Sequence, residues 1–479
     1  MSDTGWALFI AIVVPLVHLV GLISAAHAVM KARTPQSSVA WGVGLISFPY
    51  LAIPLYWLIG SSGFGIYSAR LREAESQHHE LAHQIRTAID QFKGRLEPDE
   101  APTQAFLERL TRLPMTQGNQ IDLLVDGEAT FDAILADIEE AQRYVAVQFF
   151  IVRDDGLGQR LKAALIRKAR AGVRVYFLCD AIGSHHLSAA YVRELSEAGV
   201  EFHFFKPDVG GPSRFRINFR NHRKIVVVDG RVAFVGGHNV GDEYLGKSPR
   251  FGHWRDTHVQ VAGPAVMAIQ LTFLVDWYWM TGRIAEFDWI PVASPRSRAH
   301  IISLASGPNS QIESCRLFMV HAVNTAQRRV WMASPYFVPD EGFVQALQMA
   351  ALRGVDVRIM LPKHPDHRTV YLASFSYLQD LIPHGVKIYR YTEGFLHEKV
   401  ILVDDRWASV GTANVDNRSF RLNFELSVLA FDTPFCHDVA RMFEDDFTHC
   451  ELQRADACEE RGLFFRLVVR LCRLFAPLL

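Results

Sequence analysis

An α/β fold made of two pseudo-symmetric repeats packed face to face, preceded by an N-terminal transmembrane helical hairpin, is predicted by three features of the 479-residue sequence. Two charge-free apolar runs open the chain, two long internal segments resemble one another, and one charged pattern occurs once in each segment. Together they imply an enzyme with one duplicated catalytic body at a membrane.

From Trp6 to Met30 there is no Asp, Glu, Lys or Arg, which exceeds the ~20 residues a helix needs to cross a bilayer. Lys31 and Arg33 follow, and a second charge-free run extends from Thr34 to Ala69, with Pro49 and Pro54 inside it and Trp57 and Tyr67 as interfacial anchors. Residues 1–69 are therefore assigned to a two-helix transmembrane hairpin, multi-pass in the membrane. A cleaved signal peptide fits the first run less well, because the run is too long and has neither a basic start nor an A-x-A exit. Basic residues flank both ends of the second run (Lys31 and Arg33, then Arg70 and Arg72) and assign no side.

Residues 70–101 are polar with helical spacing and contain His79-Glu80-Leu81-Ala82-His83, an H-E-x-x-H pattern. A zinc site on such a helix needs a folded surround and a third ligand. The polar setting favours a solvated linker helix, and no metal or cofactor is expected. The six cysteines show no C-x-x-C spacing, which argues against a metal or disulfide framework. Acidic and basic residues number 51 and 50, a balance that removes the general attraction to polyanions expected of a nucleic-acid binder. The cations are 40 Arg and 10 Lys, and Arg's planar fork suits phosphate, although a GC-rich genome produces the same bias.

Beyond Pro102 the chain repeats itself. The segment AQRYVAVQFFIVRDDGLGQRLKAALIRKARAGVRVYFLCD, from Ala141, parallels AQRRVWMASPYFVPDEGFVQALQMAALRGVDVRIMLP, from Ala326. Each reads as strand, helix and strand, with Gly172 or Gly354 ending the helix. AGVEFHFFKP and HGVKIYRYTEG add a matching strand to each half. The repeats are placed at residues 102–292 and 293–460.

His222-x-Lys224-x4-Asp229 in the first half recurs as His397-x-Lys399-x4-Asp404 in the second, in register with the repeat. Chance placement of these residues gives far fewer than one such match. On an extended chain residues i and i+2 share a side, so each His and Lys point together while Ile225 to Val228, or Val400 to Val403, enter the core. Downstream lie Gly236-Gly237-His238-Asn239 and Gly411-Thr412-Ala413-Asn414. Gly237 permits close backbone approach, and Asn239, Asn414 and Thr412 offer donors to an anionic oxygen, unless these are ordinary strand-ending turns. Two histidines, two lysines and two asparagines on one point would hold a phosphodiester between a nucleophilic imidazole and an imidazolium acid. Asp229 and Asp404 are candidates to orient their own or the opposite imidazole.

These paired motifs resemble the phospholipase D superfamily. The longer strings RNHRKIVVVDGRVAFVGGHNVGDEY, HWRDTHVQVAGPAV, SPYFVPDEGF, GFLHEKVILVDD and GTANVDNRSFRLNFELSV are similar to bacterial cardiolipin synthases. The resemblance implies two phospholipase D-like repeats, no cofactor, and a ping-pong transfer through a phosphohistidine. One phosphatidylglycerol gives its phosphatidyl group to another, releasing glycerol. By analogy His222 is the nucleophile and His397 the acid and then base. The second motif extends through Asp416, Arg418, Ser419 and Glu425, which serve either acceptor recognition or a buried structural network. The Arg- and Phe-rich stretch from Arg214 meets anionic headgroups or forms an amphipathic strand edge. The resemblance also implies anionic lipid partners, a bacterial inner-membrane location and the possibility of oligomers, with no nucleic acid.

RGLFFRLVVRLCRLFAPLL, from Arg461, closes the chain with Arg466, Arg470 and Arg473 on one helical face. Residues 461–479 form an amphipathic helix, either interfacial or packed on the protein's own core. Competing functions are a phospholipase D-type hydrolase, a transphosphatidylase for other lipids, a phosphodiester nuclease and a catalytically idle membrane scaffold. Intact motifs in both halves oppose the last, and the membrane hairpin favours transfer to a lipid hydroxyl over transfer to water.

Overall fold

Proline positions and close-packed small residues shape the N-terminal part. The computed structural model describes residues 3–32, 35–60, 73, 76–206, 220–308, 312–454 and 461–476. It divides into two units, Met1–Arg70 with Pro207–Phe219, and Leu71–Lys206 with Arg220–Leu479.

In the first unit helix α1 (Asp3–Lys31) is the expected first span, and its Ala11–Lys31 portion is long and apolar enough to cross a membrane. The second expected span is not one helix. The chain forms α2 (Pro35–Ser47), breaks at Phe48, resumes as α3 (Pro49–Leu55) and widens into a π-turn at Tyr56–Gly60. Pro49 disfavours helical dihedrals at the residue before it, and Phe48 has φ −134° and ψ 57°. Among the described residues α1 alone passes the length and apolarity test, so a second crossing helix is not found there. Tyr67 lies outside the described residues. Leu45, Ala52 and Tyr56 bury against Ala25 and Ala28, and a Cβ on Gly21 would meet the Leu45 carbonyl at 2.6 Å. This close backbone approach is typical of helix pairs in a bilayer.

The second unit is organised by the repeat. Its first half supplies β1 (Thr116–Val125), β2 (Tyr144–Phe149), β3 (Arg174–Asp180), β4 (Glu201–Phe205), β5 (Ile225–Val228), β6 (Val232–Gly236) and β7 (Thr257–Ala262). Its second supplies β8 (Ala299–Ser306), β9 (Arg329–Ala333), β10 (Asp356–Pro362), β11 (Lys387–Tyr391), β12 (Val400–Val403), β13 (Trp407–Gly411) and β14 (Asn423–Phe431). The hydrogen-bonded order 11-10-9-12-13-14-8-1-7-6-5-2-3-4 is the same in both halves, read outward from an antiparallel β1–β8 seam. Cys450–Leu452 extends the β11 edge. The expected helix-ending glycines are at φ +86° in both halves, a conformation that suits glycine.

Alternation along the strands builds two kinds of core. Val145, Val147 and Phe149 face helices α6 (Asp126–Glu140), α7 (Gly156–Arg170) and α8 (Ala189–Glu197) of the first half. The second half repeats this with α10 (Ser314–Thr325), α11 (Glu341–Leu352) and α12 (Arg368–Leu381). Asp155 and Asp340 cap α7 and α11 in matching ways, accepting from Gly158 N and Phe343 N. The opposite strand faces share one core with α9 (Val266–Thr281) and α14 (Thr433–Thr448), so the halves confront each other across common apolar packing. Helix α4 (His79–Asp90) buries Ile85 and Ile89 in that core, while α5 (Ala101–Thr111) and the short α13 (Asn417–Arg421) set Leu107 and Phe420 into the α10–α12 core of the second half. The stretch expected to be a solvated linker is therefore partly structural, because its apolar residues recur four apart on one face.

The variable residue of each charged motif points behind the site, as strand alternation requires. Arg223 makes two bonds to Asp276 on α9, at 2.7 and 2.8 Å, and donates to the Glu425 and Ser306 carbonyls of the second half. Glu398 accepts from Arg255 of the first half at 2.9 Å, and Arg255 also holds Asp446 on α14. All five side chains are buried. Removing one partner of a buried pair leaves an uncompensated charge. Asp276→Ala is expected to lower unfolding free energy by about 3–5 kcal/mol, measured by denaturant or thermal unfolding in detergent; a change within experimental error would contradict a stabilising seam.

Candidate active site

Two reciprocal strand pairings bring the motifs together. Arg220–Asn221 pairs in parallel with Asn423 and Phe424 at the start of β14, and Phe395–Leu396 pairs in parallel with Trp254–Arg255 ahead of β7. Each pairing crosses from one half to the other. The backbone N–H of His222 donates to the Phe424 carbonyl (2.9 Å), and that of His397 to the Arg255 carbonyl (2.7 Å). The residue after each acceptor is a carboxylate. Glu425 Oε2 lies 2.9 Å from His222 Nδ1, and Asp256 Oδ2 lies 2.6 Å from His397 Nδ1. Each imidazole is thus bonded through Nδ1 to an acid of the opposite half, which leaves Nε2 for chemistry.

The lysines complete each set. Lys224 Nζ donates to the His222 carbonyl at 2.7 Å, and Lys399 Nζ lies 2.8 Å from His397 Nδ1. His222, Lys224, His397 and Lys399 are all buried, at 9% exposure or less. Burial and neighbouring lysines, including Lys224 and Lys399 of opposite halves, push both imidazoles down, His397 well below its ordinary value. Glu425 moderates the shift on His222. Burial pushes Lys224 down to about 7 and Lys399 to about 8. Burial alone would raise Glu425, but His222 and Lys224 hold it below the usual carboxylate range. Without an anion the site favours neutral imidazoles and weakly held ammonium protons.

Asp229 and Asp404 are not at this centre. Each sits beyond its motif strand, five residues on from the lysine, roughly 16 Å at ~3.3 Å per residue. Both adopt φ +52°. Asp229 accepts from the backbone N–H groups of Gln142, Arg143 and Tyr144 at 2.8–2.9 Å, and Asp404 from those of Gln327, Arg328 and Arg329. They anchor a hairpin turn to the start of β2 or β9. The expectation that they orient an imidazole is corrected: Asp256 and Glu425 occupy that place.

The remaining candidates brace the site. A Cβ on Gly237 would stand 1.9 Å from Asp256 Oδ1, so glycine there lets Asp256 reach His397. In the second half Thr412 donates to Glu425 Oε2 (2.5 Å) and Ser419 to Oε1 (2.9 Å). Asn239 accepts from Ile151 N and donates to Tyr244 Oη, and Asn414 Nδ2 donates to Asp416 Oδ2 at 3.3 Å. Glu425, Thr412 and Ser419 therefore form the buried network, one of the two alternatives weighed for this segment. Arg214 to Phe219 lie outside the described residues. Asp256 was not singled out from the sequence, although HWRDTHV and LNFELSV align it with Glu425, the one just ahead of β7 and the other near the start of β14. His79, Glu80 and His83 lie on α4, and no group of three or more metal-ligating side chains occurs among the described residues.

A family model described as "Cardiolipin synthase, PLD-like domain" matches residues 134–249 and 319–447, one match in each half. Cardiolipin synthase A of Pseudomonas putida (strain GB-1) is 44% identical over 473 residues, covering 98% of each chain. The chain belongs to the cardiolipin synthase family of phospholipase D-like proteins. Cardiolipin synthase A of Pseudomonas aeruginosa (strain LESB58) is 46% identical over 466 residues, covering 97% of this chain and 95% of that one. A crystal structure of phosphatidylserine synthase from Haemophilus influenzae Rd KW20 shares the fold, with a TM-score of 0.58 and 17% identity over 77% of this chain and 96% of the other.

For this family member the two kinds of aspartate are separable by experiment. Asp229→Ala strips three backbone donors of their acceptor and is expected to cost about 3 kcal/mol of stability. Asp256→Asn is expected to fold normally and to lose roughly 10²–10⁴-fold in turnover. Unfolding curves and activity on purified variants check both; a stable Asp229→Ala protein or an active Asp256→Asn protein would reverse the assignment.

Proposed function

We propose that the protein is a phosphatidyltransferase that makes cardiolipin and glycerol from two phosphatidylglycerol molecules. The observation that carries this reading is the crossed pair of carboxylate–imidazole bonds, which presents two Nε2 atoms and two ammonium groups to one phosphorus. His222 donates Nδ1–H to Glu425, so its Nε2 lone pair is the nucleophile. It attacks the phosphorus of the first lipid, the P–O bond to the leaving glycerol breaks, and His397, which takes up a proton at Nε2 once the phosphodiester anion offsets the neighbouring ammonium charges, delivers that proton to the leaving oxygen. The phosphatidyl group then rests on His222. The glycerol hydroxyl of a second lipid gives its proton to His397 and attacks the phosphorus, the P–N bond breaks, and cardiolipin leaves.

Lys224 and Lys399 supply fixed positive charge to the non-bridging oxygens, with Asn239 and Asn414 as further donors. Glu425, Thr412 and Ser419 act on His222 and Gly237 admits Asp256, so these four serve the substrate indirectly. Phosphodiester is exchanged for phosphodiester, and no cofactor is required. Phosphatidylglycerol and other anionic lipids are the partners, in the bacterial inner membrane, with α1 and its packed return segments as the anchor.

Purified protein in bilayers containing labelled phosphatidylglycerol is expected to give labelled cardiolipin and free glycerol, and His222→Ala or His397→Ala to abolish both. Phosphatidic acid as the sole labelled product would indicate hydrolysis, and wild-type turnover in either variant would exclude a shared centre. The charged lysines are the binding form. Because they deprotonate above their depressed values near 7 and 8, kcat/KM is expected to fall between about pH 7 and 9, mainly through KM. A flat profile across that interval would contradict phosphate binding by these ammonium groups.

A further inference from the structure

The C-terminal helix α15 (Gly462–Leu474) divides its surface three ways. At about 100° per residue, Phe465, Val469 and Cys472 share one side, and this side is docked. Val469 is fully buried with Phe375 of α12, and the Phe465 and Phe375 rings meet edge-on at 5.5 Å. Arg473 reaches Asp380 at 3.5 Å and lies over the Tyr377 ring. The helix is therefore held by its own protein through one face.

The opposite face is apolar and open. Leu463 is 81% exposed, Phe464 80% and Leu474 74%, with Leu467 and Leu471 beside them at 54% and 49%. Such a contiguous stripe is unusual on a soluble surface and marks an interaction site. Arg466 and Arg470 run along its flank, both exposed, and no acidic residue occurs from Arg461 to Ala476. An apolar stripe edged by cations on a short helix is the pattern that lies in the headgroup layer of a negatively charged bilayer.

Its supporting helix leads to the catalytic centre. Asp366, just before α12, accepts the Tyr336 hydroxyl at 2.5 Å and favours the charged form of Lys399. A membrane held against α15 would thus bear on the element that borders the second motif.

We propose that α15 is an interfacial helix whose Leu463, Phe464, Leu467, Leu471 and Leu474 insert into the surface of an anionic bilayer while Arg466 and Arg470 hold lipid phosphates. The proposal takes the anionic lipid class from the function above, and its test reads no turnover, so the two fail separately.

The full chain, with Cys450, Cys458 and Cys472 changed to Ser, would carry Leu467→Cys labelled with an environment-sensitive fluorophore and be reconstituted into phosphatidylglycerol vesicles. Blue-shifted emission and quenching by lipids brominated near the glycerol backbone are expected, at the ~5–10 Å depth of interfacial helices. The same label at Asp132→Cys, on an exposed position of α6, should show neither. Arg466→Glu with Arg470→Glu should weaken the quenching, by roughly fivefold in partitioning for each cation lost. Water-like emission at position 467 in anionic vesicles, or ready disulfide dimers of the unlabelled Leu467→Cys protein under oxidising conditions in those vesicles, would overturn the proposal, the latter in favour of a second copy on this face.

Discussion

The exchange of carboxylates between the halves is the constraint on which the site depends. His222 is tuned by Glu425 and His397 by Asp256, and each acid belongs to the half that did not supply the histidine. Neither half alone holds an oriented imidazole. Two-residue parallel pairings deliver each acid to its partner, so backbone hydrogen bonds set the side-chain geometry. A group held by its neighbours before substrate arrives needs no reorganisation during reaction.

Duplication does not make the halves equal. The first contributes a short acid, Asp256, which fits because position 237 is glycine. The second contributes a longer acid, Glu425, held by the hydroxyls of Thr412 and Ser419. Around Asp256 stand His238 and His258, 3.1 Å apart at Nδ1 and buried, where the second half has Ala413 and Ser427. Burial lowers both imidazoles, His238 to about 4, which keeps further positive charge away from His397. The two motif histidines thus sit in different fields, as the two different roles proposed for them require.

Much of this was legible in the sequence because duplication makes a pattern test itself. The paired His-x-Lys spacing, the matching strands at Glu201 and Lys387, and the glycines at 172 and 354 are each read twice, and each lies where local rules place it. The errors arose where distant segments decide. Asp229 and Asp404 shared a spacing with the histidines, but four strand residues put them at the other end. Asp256 lies in another half from the histidine it serves, and no linear spacing records that contact. Hydropathy alone also missed the break at Phe48, where the following proline splits the apolar run into helices each shorter than the ~20 residues of a straight crossing helix.

The charged seam behind the site explains why duplication could diverge yet keep register. At equivalent positions the halves carry a base and an acid, Arg223 and Glu398, each buried against its own partner set, Asp276 of the same half for Arg223 and Arg255 of the other half for Glu398. Pairing two copies of the second half would leave Glu398 and Asp446 without Arg255, and pairing two copies of the first would leave Arg255 without those two acids. Burying an unpaired charge costs more than a well-made pair returns. The seam therefore contributes little net stability over an apolar one and penalises wrong pairings heavily, which is the property a site split between two similar halves needs.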